Sequence, residues 1–325
     1  MAVPPNFSDF SKDLNDLLNK DYPLGSSKLE INTTSTNGFK VTVNNIKDNG
    51  TGKIVTDLKT KYADKENGMV TVFGFGNVSL PSIRHVYKTT LKNSSHHGLR
   101  SSSSSTGVTI TNTWHAGNAL TAQVELQDLI STGFKVDLHG SIHPALGTTA
   151  AKAGLELKQA NVFARSSVDL LAKNGATVHT DVVVGSEGLL LAGDVAYNTG
   201  DATIHRYNVA VGYKTPEYLL AFHATKKFTH FTAGYFHNIN SGLQVATRAT
   251  WDQAVNTQVG IEIGTKYALD KSTFIKAKIN NEGRLGLGYT QILRPSIKLQ
   301  LGGSFDTTKL GENAHKLGLA FVIDN

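Results

Sequence analysis

Alternation of apolar and polar residues dominates the chain from residue 27 onward. The stretch Ile297–Phe305 alternates without a break, and the same nine-residue pattern recurs over Val259–Tyr267 and Leu243–Trp251. Successive side chains of a strand point to opposite faces, so each stretch predicts a strand with one apolar and one polar face. A tilted strand needs roughly nine to eleven residues to cross a bilayer. The pattern therefore predicts membrane-length strands whose polar face lines a lumen.

Turn dipeptides separate these runs. Asn49-Gly50, Ser241-Gly242 and Glu282-Gly283 are typical of tight turns between antiparallel strands. Three further pairs have the same composition: Asn37-Gly38, Asn67-Gly68 and Asn174-Gly175. Setting aside the first 25 residues and an anomalous stretch of about 38 leaves about 260, or about 19 units of one strand and one turn. The predicted fold class is all-β, a transmembrane β-barrel of about 19 strands, which would enclose an aqueous channel.

The first 25 residues predict a short amphipathic helix. Asn6 can cap it, and it should end near Pro23 and Gly25. The apolar residues that share one face of this helix are Phe7, Phe10, Leu14, Leu17 and Leu18. Periodicity alone leaves three interpretations open: a helix packed on a core, a helix on a membrane surface, or a helix inside the barrel.

Composition narrows the class of protein. The 325 residues show no change of composition that would divide the chain, so one large domain is the simpler interpretation. No run approaches the apolar length of a membrane helix, whereas alternation hides a barrel from that test. No secretory signal is predicted, and the lack of arginine before Arg84 predicts no Arg-rich presequence. The chain has no cysteine, and its net charge of +6 favours anionic partners such as nucleic acid, nucleotides or anionic lipid.

Several segments resemble one known family. They are Met1-Ala-Val-Pro-Pro5 with the amphipathic helix behind it, Ala210-Val-Gly-Tyr-Lys214, the stretch from Tyr267 to Thr290, and His315-Lys-Leu-Gly318. Together they resemble the voltage-dependent anion channel family, the mitochondrial porins, and most closely its fungal members. The resemblance covers residues 1–67 and 107–325, and the segment Tyr267–Tyr289 is its most specific part.

The resemblance implies an architecture and a function. The barrel would have 19 strands, with the first and last strands paired in parallel and the helix inside the pore. Residues 1–25 would form the helix and hinge, and residues 26–325 the barrel. Such a channel passes ATP, ADP, phosphate and small anions across the mitochondrial outer membrane and closes partly under voltage. It needs no cofactor, catalyses no reaction and requires no nucleic-acid binding; its partners are the lipid bilayer, other copies of itself, and kinases or carriers.

The alternation also predicts which basic side chains line the pore. These residues lie on the polar face of their strands: Lys59, Lys61, Lys135, Arg248, Lys266, Lys276, Lys278 and Lys298. They outnumber Asp57, Asp137 and Glu262 on the same strands, so the lumen should hold a positive potential that concentrates anions. Any one of these lysines could simply keep a wet face soluble, so the prediction depends on the group.

The resemblance further implies nucleotide contacts. On the helix, Lys12 and Lys20 match contact positions of the family, whereas Asn15 replaces a basic residue that is common there. On the barrel the matching positions are Ala249, Thr250, Trp251, Lys276, Lys278 and Asn280. Asn112 stands where some animal members have a lipid-facing glutamate that influences partner docking, which argues against that mode of kinase recruitment here.

Residues 68–106 do not fit the alternation. They interrupt what should be a tight hairpin, since Asn67 could run directly into Gly107 and restore an Asn-Gly turn. The segment contains His96, His97 and five consecutive serines from Ser101 to Ser105. We expect a disordered insertion at the barrel rim, with a functional loop or the translation of an unspliced intron as alternatives.

Other functions fit the sequence less well. His139 and His143 are spaced like a helical metal pair, but on a strand they would lie about 13 Å apart. No nucleophile elbow and no complete phosphate-binding glycine loop is present. Two alternatives remain. A protein-import barrel should have acidic stripes in its lumen, and a soluble barrel that binds an apolar ligand should have apolar side chains inside and polar ones outside.

Overall fold

The computed structural model describes residues 3–36, 38–64, 107–115, 119–128, 131–171, 175–254, 258–311 and 315–324. One helix, α1 (Lys12–Asn19), precedes the strands, and a short 3-10 turn spans Pro144–Leu146. The strands are β1 (Ser26–Thr34), β2 (Phe39–Asp48), β3 (Ile54–Asp64), β4 (Gly107–His115), β5 (Leu120–Gln127), β6 (Phe134–His143), β7 (Thr148–Lys158), β8 (Val162–Asp169), β9 (Thr177–Ser186), β10 (Leu189–Asn198), β11 (Thr203–Lys214), β12 (Tyr218–Thr225), β13 (His230–Asn240), β14 (Leu243–Asp252), β15 (Gly260–Ala268), β16 (Thr273–Asn280), β17 (Arg284–Arg294), β18 (Ile297–Asp306) and β19 (Lys316–Asp324).

The strands close into one 19-stranded barrel, as the sequence predicted. Each strand pairs antiparallel with its neighbour in the chain, so the barrel is a continuous meander. The exception is the seam, where β1 and β19 run parallel with Leu29 opposite Phe321. An odd number of strands requires such a pair, because a closed meander with alternating directions needs an even count. Closure leaves no free sheet edge, which is the condition for a sheet to span a bilayer.

The three nine-residue stretches of unbroken alternation are confirmed as strands. Val259–Tyr267, Leu243–Trp251 and Ile297–Phe305 correspond to β15, β14 and β18 within one residue at each end. Turns lie at Asn49-Gly50, Ser241-Gly242 and Glu282-Gly283, where the dipeptides predicted them. The other Asn-Gly turns include residues outside the described ranges.

The outer face of the barrel is apolar. Large side chains such as Leu138, Leu191 and Ile263 are about half exposed there, where a water-soluble protein would bury them. Aromatic side chains gather near each rim. Tyr213, Tyr218, Tyr235 and His237 form one group, and Phe222, Phe231 and Trp251 form the other.

This arrangement rules out the soluble barrel, which would need the opposite distribution of polar and apolar side chains. No helix in the described ranges has the length and apolar character of a membrane span.

The N-terminal segment lies inside the barrel. Helix α1 packs on β13, β14 and β15, and Leu14, Leu17 and Leu18 are buried against Leu219, Phe236 and Ala246 on the inner wall. Phe10 is buried further along, in a second cluster with Phe163 and Val183. Of the three interpretations left open by periodicity, the helix inside the barrel is therefore the one observed.

The helix is shorter than predicted. Asn6 does not cap an α-helix; its side-chain oxygen accepts a hydrogen bond from the backbone of Asp9 at 2.6 Å and holds a separate turn. Residues 7–11 form turns, and α1 begins only at Lys12. The break lets Phe10 and Ser11 reach the wall, where the Ser11 hydroxyl lies 2.6 Å from His223 Nε2.

The predicted insertion lies outside the described residues. Its flanks are described, and β3 and β4 pair antiparallel as far as Asp64 opposite Val108. The described residues on either side, Asp64 and Val108, are thus adjacent at one rim of the barrel.

Candidate functional site

Contacts with the N-terminal segment identify the lumen face of each strand nearby. Arg248 donates to the side-chain oxygen of Asn15 at 3.3 Å, and Lys298 binds the Asp21 carboxylate at 3.1 Å. Gly264 lies directly beneath Leu18. These contacts place Arg248 and Lys298 on the inner face and, by parity, Lys266, Lys276 and Lys278 on the same face.

The register extends this direction around the barrel. Lys59 lies opposite Thr42, whose hydroxyl donates to Asn32 at 2.7 Å in the lumen. Lys61 lies two residues further on the same face. Lys135 pairs with Glu125 at 2.6 Å, and both project inward. All eight predicted pore-lining basic residues therefore point into the lumen.

One part of the lumen wall, on β5 to β10 together with Arg206 of β11, carries charges that compensate each other. Its ion pairs join Lys135 to Glu125, Lys152 to Asp169, Lys158 to Glu156, Arg165 to Asp137 and Arg206 to Asp194, at 2.6–3.8 Å. Five basic and six acidic side chains, counting Asp181, make this wall close to neutral. Comparing charges within single strands missed most of these acids, because only Glu156 has its basic partner on its own strand.

The basic excess lies on the remaining strands. Lys59 and Lys61 are exposed, and among the described residues neither forms an ion pair; Asp57 on the same strand binds His115 at 2.8 Å instead. Lys266 lies over the ring of Phe274 at 4.6 Å. Arg248 and Lys278 share one carboxylate, that of Glu262. The net positive charge of the lumen is therefore concentrated on β2, β3 and β14 to β18.

Lysine 276 differs from its neighbours because it is 5% exposed. Its ammonium donates to the carbonyl oxygens of Asp16 and Lys20 at the end of α1, at 2.9 and 3.0 Å. It also lies 3.3 Å from the carboxylate of Asp21. Burial tends to raise the pKa of the Asp21 carboxyl, but the ammonium groups of Lys276 and Lys298 outweigh it, so the pKa is lowered and Asp21 stays ionised at neutral pH.

Comparison with known proteins agrees with this geometry. The sequence model of the family described as eukaryotic porin matches residues 3–318. The mitochondrial outer membrane protein porin of Neurospora crassa is 35% identical over the whole of both chains, and that of Candida albicans is 36% identical over 98% of both. The chain belongs to the eukaryotic porin family. A pig relative named non-selective voltage-gated ion channel VDAC1 is 29% identical over 98% of both chains.

Membership makes this porin a channel and not an enzyme. Among the described residues, no group of three or more His, Asp or Glu side chains is placed to hold a metal ion. His139 and His143 lie on β6, as the sequence analysis assumed when it discounted them as a metal pair.

The implied nucleotide positions of this porin divide between the two faces. Thr250, Lys278 and Asn280 lie on the lumen face, and Lys12 and Lys20 are exposed on the helix. Thr250 borders a cavity of about 480 Å³ between α1 and the wall, which Ser11, Asn15, His223, His230 and Arg248 also line.

Two of the implied contacts need correction. Trp251 is 40% exposed on the outer face, where it stacks on Phe231, and Ala249 lines an apolar groove on that face. Successive side chains of a strand point to opposite faces, so Ala249 and Trp251 point outward when Thr250 points into the lumen. Neither of the two can contact a solute in the lumen.

The inner apolar wall was missed by the sequence analysis. Val183, Leu190, Leu219 and Phe236 face inward and bury the helix. The sequence does indicate most of this wall, because consecutive apolar residues occur where alternation would place a polar one. These runs are Val182-Val183-Val184, Leu189-Leu190-Leu191 and Leu219-Leu220. Strands covered on both faces read as continuous apolar runs, so these segments indicated where something packs inside.

Proposed function

We propose that this porin is a voltage-gated diffusion channel for metabolites that favours anions and passes ATP, ADP, phosphate and small anions. It lies in the mitochondrial outer membrane, like the fungal relatives named for that membrane. The observation that carries the proposal is a closed barrel whose outer face is apolar and whose lumen has an excess of basic side chains.

The physical basis of anion preference is the unequal distribution of charge in the lumen. Taking about 4.8 Å between 19 strands tilted by about 40°, the barrel is about 38 Å across between backbones. The Debye length at physiological salt is about 8 Å, which is much shorter than this diameter. Charges on the far wall are therefore screened and do not cancel the positive potential near Lys59 and Lys61. Anions near β2 and β3 therefore encounter a positive potential, which raises their local concentration.

Nucleotide passage along the helix forms part of the proposal. Lys12, Lys20, Thr250, Lys278 and Asn280 are available to phosphate or base groups from the lumen. Lys278 is the strongest of these positions, because its side chain is only partly neutralised: it shares Glu262 with Arg248. Lys276 is already occupied by the helix.

The proposal includes the domain division and the partners. Residues 1–25 form the helix and hinge, and residues 26–325 form the barrel, interrupted by an insertion at 68–106. Self-association and docking by kinases or carriers rest on family resemblance. Asn112 faces outward on β4 opposite Thr60, so a kinase that needs a lipid-facing carboxylate at this position would not find one.

The alternatives have less support. A protein-import barrel should have acidic stripes, whereas the acids on β5 to β10 alternate with basic partners in ion pairs. Refolded protein in a planar bilayer tests the proposal. A channel that closes partly at both polarities and whose reversal potential in a KCl gradient indicates chloride preference supports it; cation preference or no conductance refutes it.

A further inference from the structure

The C-terminal end of α1 is held by a basic residue of the barrel wall. Its last turn contains no basic residue, and the last carbonyl groups of any helix have no partner inside the helix. The negative end of the helix dipole also favours a nearby positive charge. The barrel wall supplies this charge, because Lys276 on β16 donates to the carbonyl oxygen of Lys20 and to that of Asp16, which also accepts the backbone N–H of Lys20.

The residue after the helix completes this arrangement. The carboxylate of Asp21 accepts hydrogen bonds from Gln300 at 2.6 Å and Lys298 at 3.1 Å, and Lys276 approaches it at 3.3 Å. An ammonium has three N–H donors, so the three oxygens around Lys276 satisfy all of them. Asp21 also has a φ of 64°, a conformation that a non-glycine residue keeps only when its surroundings hold it.

Glycines of the wall let the linker lie flat beside these side chains. A Cβ at Gly302 would come within 2.7 Å of the Pro23 ring, and one at Gly288 within 2.9 Å of the Asp21 carbonyl oxygen. A Cβ at Gly318 would overlap the carbonyl oxygen of Pro23. The linker between α1 and β1 is thus fitted to β17, β18 and β19 by shape as well as by charge.

We propose that Asp21, Lys276, Lys298 and Gln300 form a latch that fixes the end of the pore helix to the barrel wall, with Lys276 as its central positioning residue. Lys276 therefore acts on transport through the helix and not as a free charge that attracts anions. Only the gating consequence rests on the proposed channel function; the latch itself is a statement about where the helix is held.

The latch has a consequence for the moving part of the helix. Residues 21–23 are the anchored end, so Gly25 lies beyond the anchor and cannot serve as the hinge while the latch is closed. A solute phosphate could gain Lys276 only by displacing the helix carbonyls and Asp21. Release of the latch and exposure of a further lumen cation are thus one event.

Spin labelling tests the latch without relying on conductance. The chain has no cysteine, so Asn19→Cys provides a single labelling site on an exposed residue at the end of α1. We expect Lys276→Gln to increase label mobility at this site. The matched control is Lys266→Gln, which removes the same charge from the residue directly opposite Lys276 on β15. Lys266 repels Lys276 electrostatically and makes no hydrogen bond to the helix, so the control should leave mobility unchanged.

Asp21→Asn provides a second variant that leaves the barrel wall intact, so barrel assembly should survive even if Lys276→Gln fails to fold. It should also mobilise the label, and the double variant should add little to either single variant, because one latch is broken in each. In planar bilayers, Asp21→Asn should shift the voltage of half-closure. Unchanged mobility in Asp21→Asn, or equal mobilisation by Lys266→Gln, would overturn the latch while leaving the channel proposal standing.

Discussion

Anion preference should depend on two lysines of β3, Lys59 and Lys61. We predict that Lys59→Glu together with Lys61→Glu strongly reduces or inverts the preference for chloride over potassium. Lys276 and Lys278 also lie on the lumen face, but changing Lys276 would disturb the helix as well as the charge. The β3 pair is therefore the cleaner perturbation, because both side chains are exposed and among the described residues neither is held by an ion pair.

The size of the effect follows from Coulomb's law. The two substitutions change the wall by about four unit charges, which at about 8 Å in water is about 2 kcal/mol before screening. At about 0.15 M salt, screening over one Debye length reduces this to about 0.8 kcal/mol. An anion loses and a cation gains that amount, so the local preference changes by about 1.5 kcal/mol, or roughly tenfold. In 1 M salt the Debye length is about 3 Å, and the change should fall to less than twofold.

The assay is the reversal potential of single channels in a KCl gradient, at low and at high mean salt. The matched control is Lys47→Glu with Lys53→Glu, which makes the same charge change where β2 ends and in the turn that follows it. Lys53 lies six residues from Lys59, about 20 Å along an extended strand and beyond the Debye length. The reasoning fails if the β3 variant keeps wild-type preference, if the control shifts it equally, or if the shift does not weaken with salt.

Four further predictions concern the N-terminal segment and the insertion. Deleting residues 1–22 should leave a barrel that assembles with an altered voltage response; failure to insert would make the helix part of the structural core. Deleting residues 68–106, so that Asn67 precedes Gly107, should preserve folding and conductance because the deletion restores a tight turn, and loss of conductance would contradict this. In the intact chain, protease should cut between Ser94 and Ser105. The latch should open in acid. Because the pKa of Asp21 is lowered in the latched state, its carboxylate stabilises the latch fully at neutral pH, and this stabilisation is lost as pH falls below about 4 through the pKa of the latched state. A spin label at position 19 should therefore become mobile in acid, and Asp21→Asn should abolish that pH dependence.

The barrel could be predicted from the sequence because its signal is local. Alternation sets the direction of every side chain, and it assigns Lys59, Arg248 and Lys298 to the lumen face without knowledge of their neighbours. The strand count followed from the mean length of a strand and turn. The parallel seam came from family resemblance, since nothing local in β1 or β19 requires it.

The parts that local patterns could not give depend on contacts between distant residues. The role of Lys276 arises from Asp16 and Lys20, more than 250 positions away, so parity could show only that it faces inward. The near-neutral charge of the wall on β5 to β10 could not be predicted, because most of its acids pair with basic residues of other strands. The late start of α1 is explained by the contacts that Phe10 and Ser11 make with the wall, which outweigh the capping preference of Asn6.

The central claim is that the basic face of β3 borders the conducting lumen and its apolar face borders lipid. The lack of native cysteine permits a direct test with Lys59→Cys and Leu58→Cys, two adjacent residues of opposite direction. A membrane-impermeant, negatively charged thiol reagent is added while channel current is recorded in a KCl gradient. The account predicts that Lys59→Cys reacts and shifts the reversal potential toward potassium, whereas Leu58→Cys shows no change. Reaction at Leu58→Cys with an inert Lys59→Cys would contradict it.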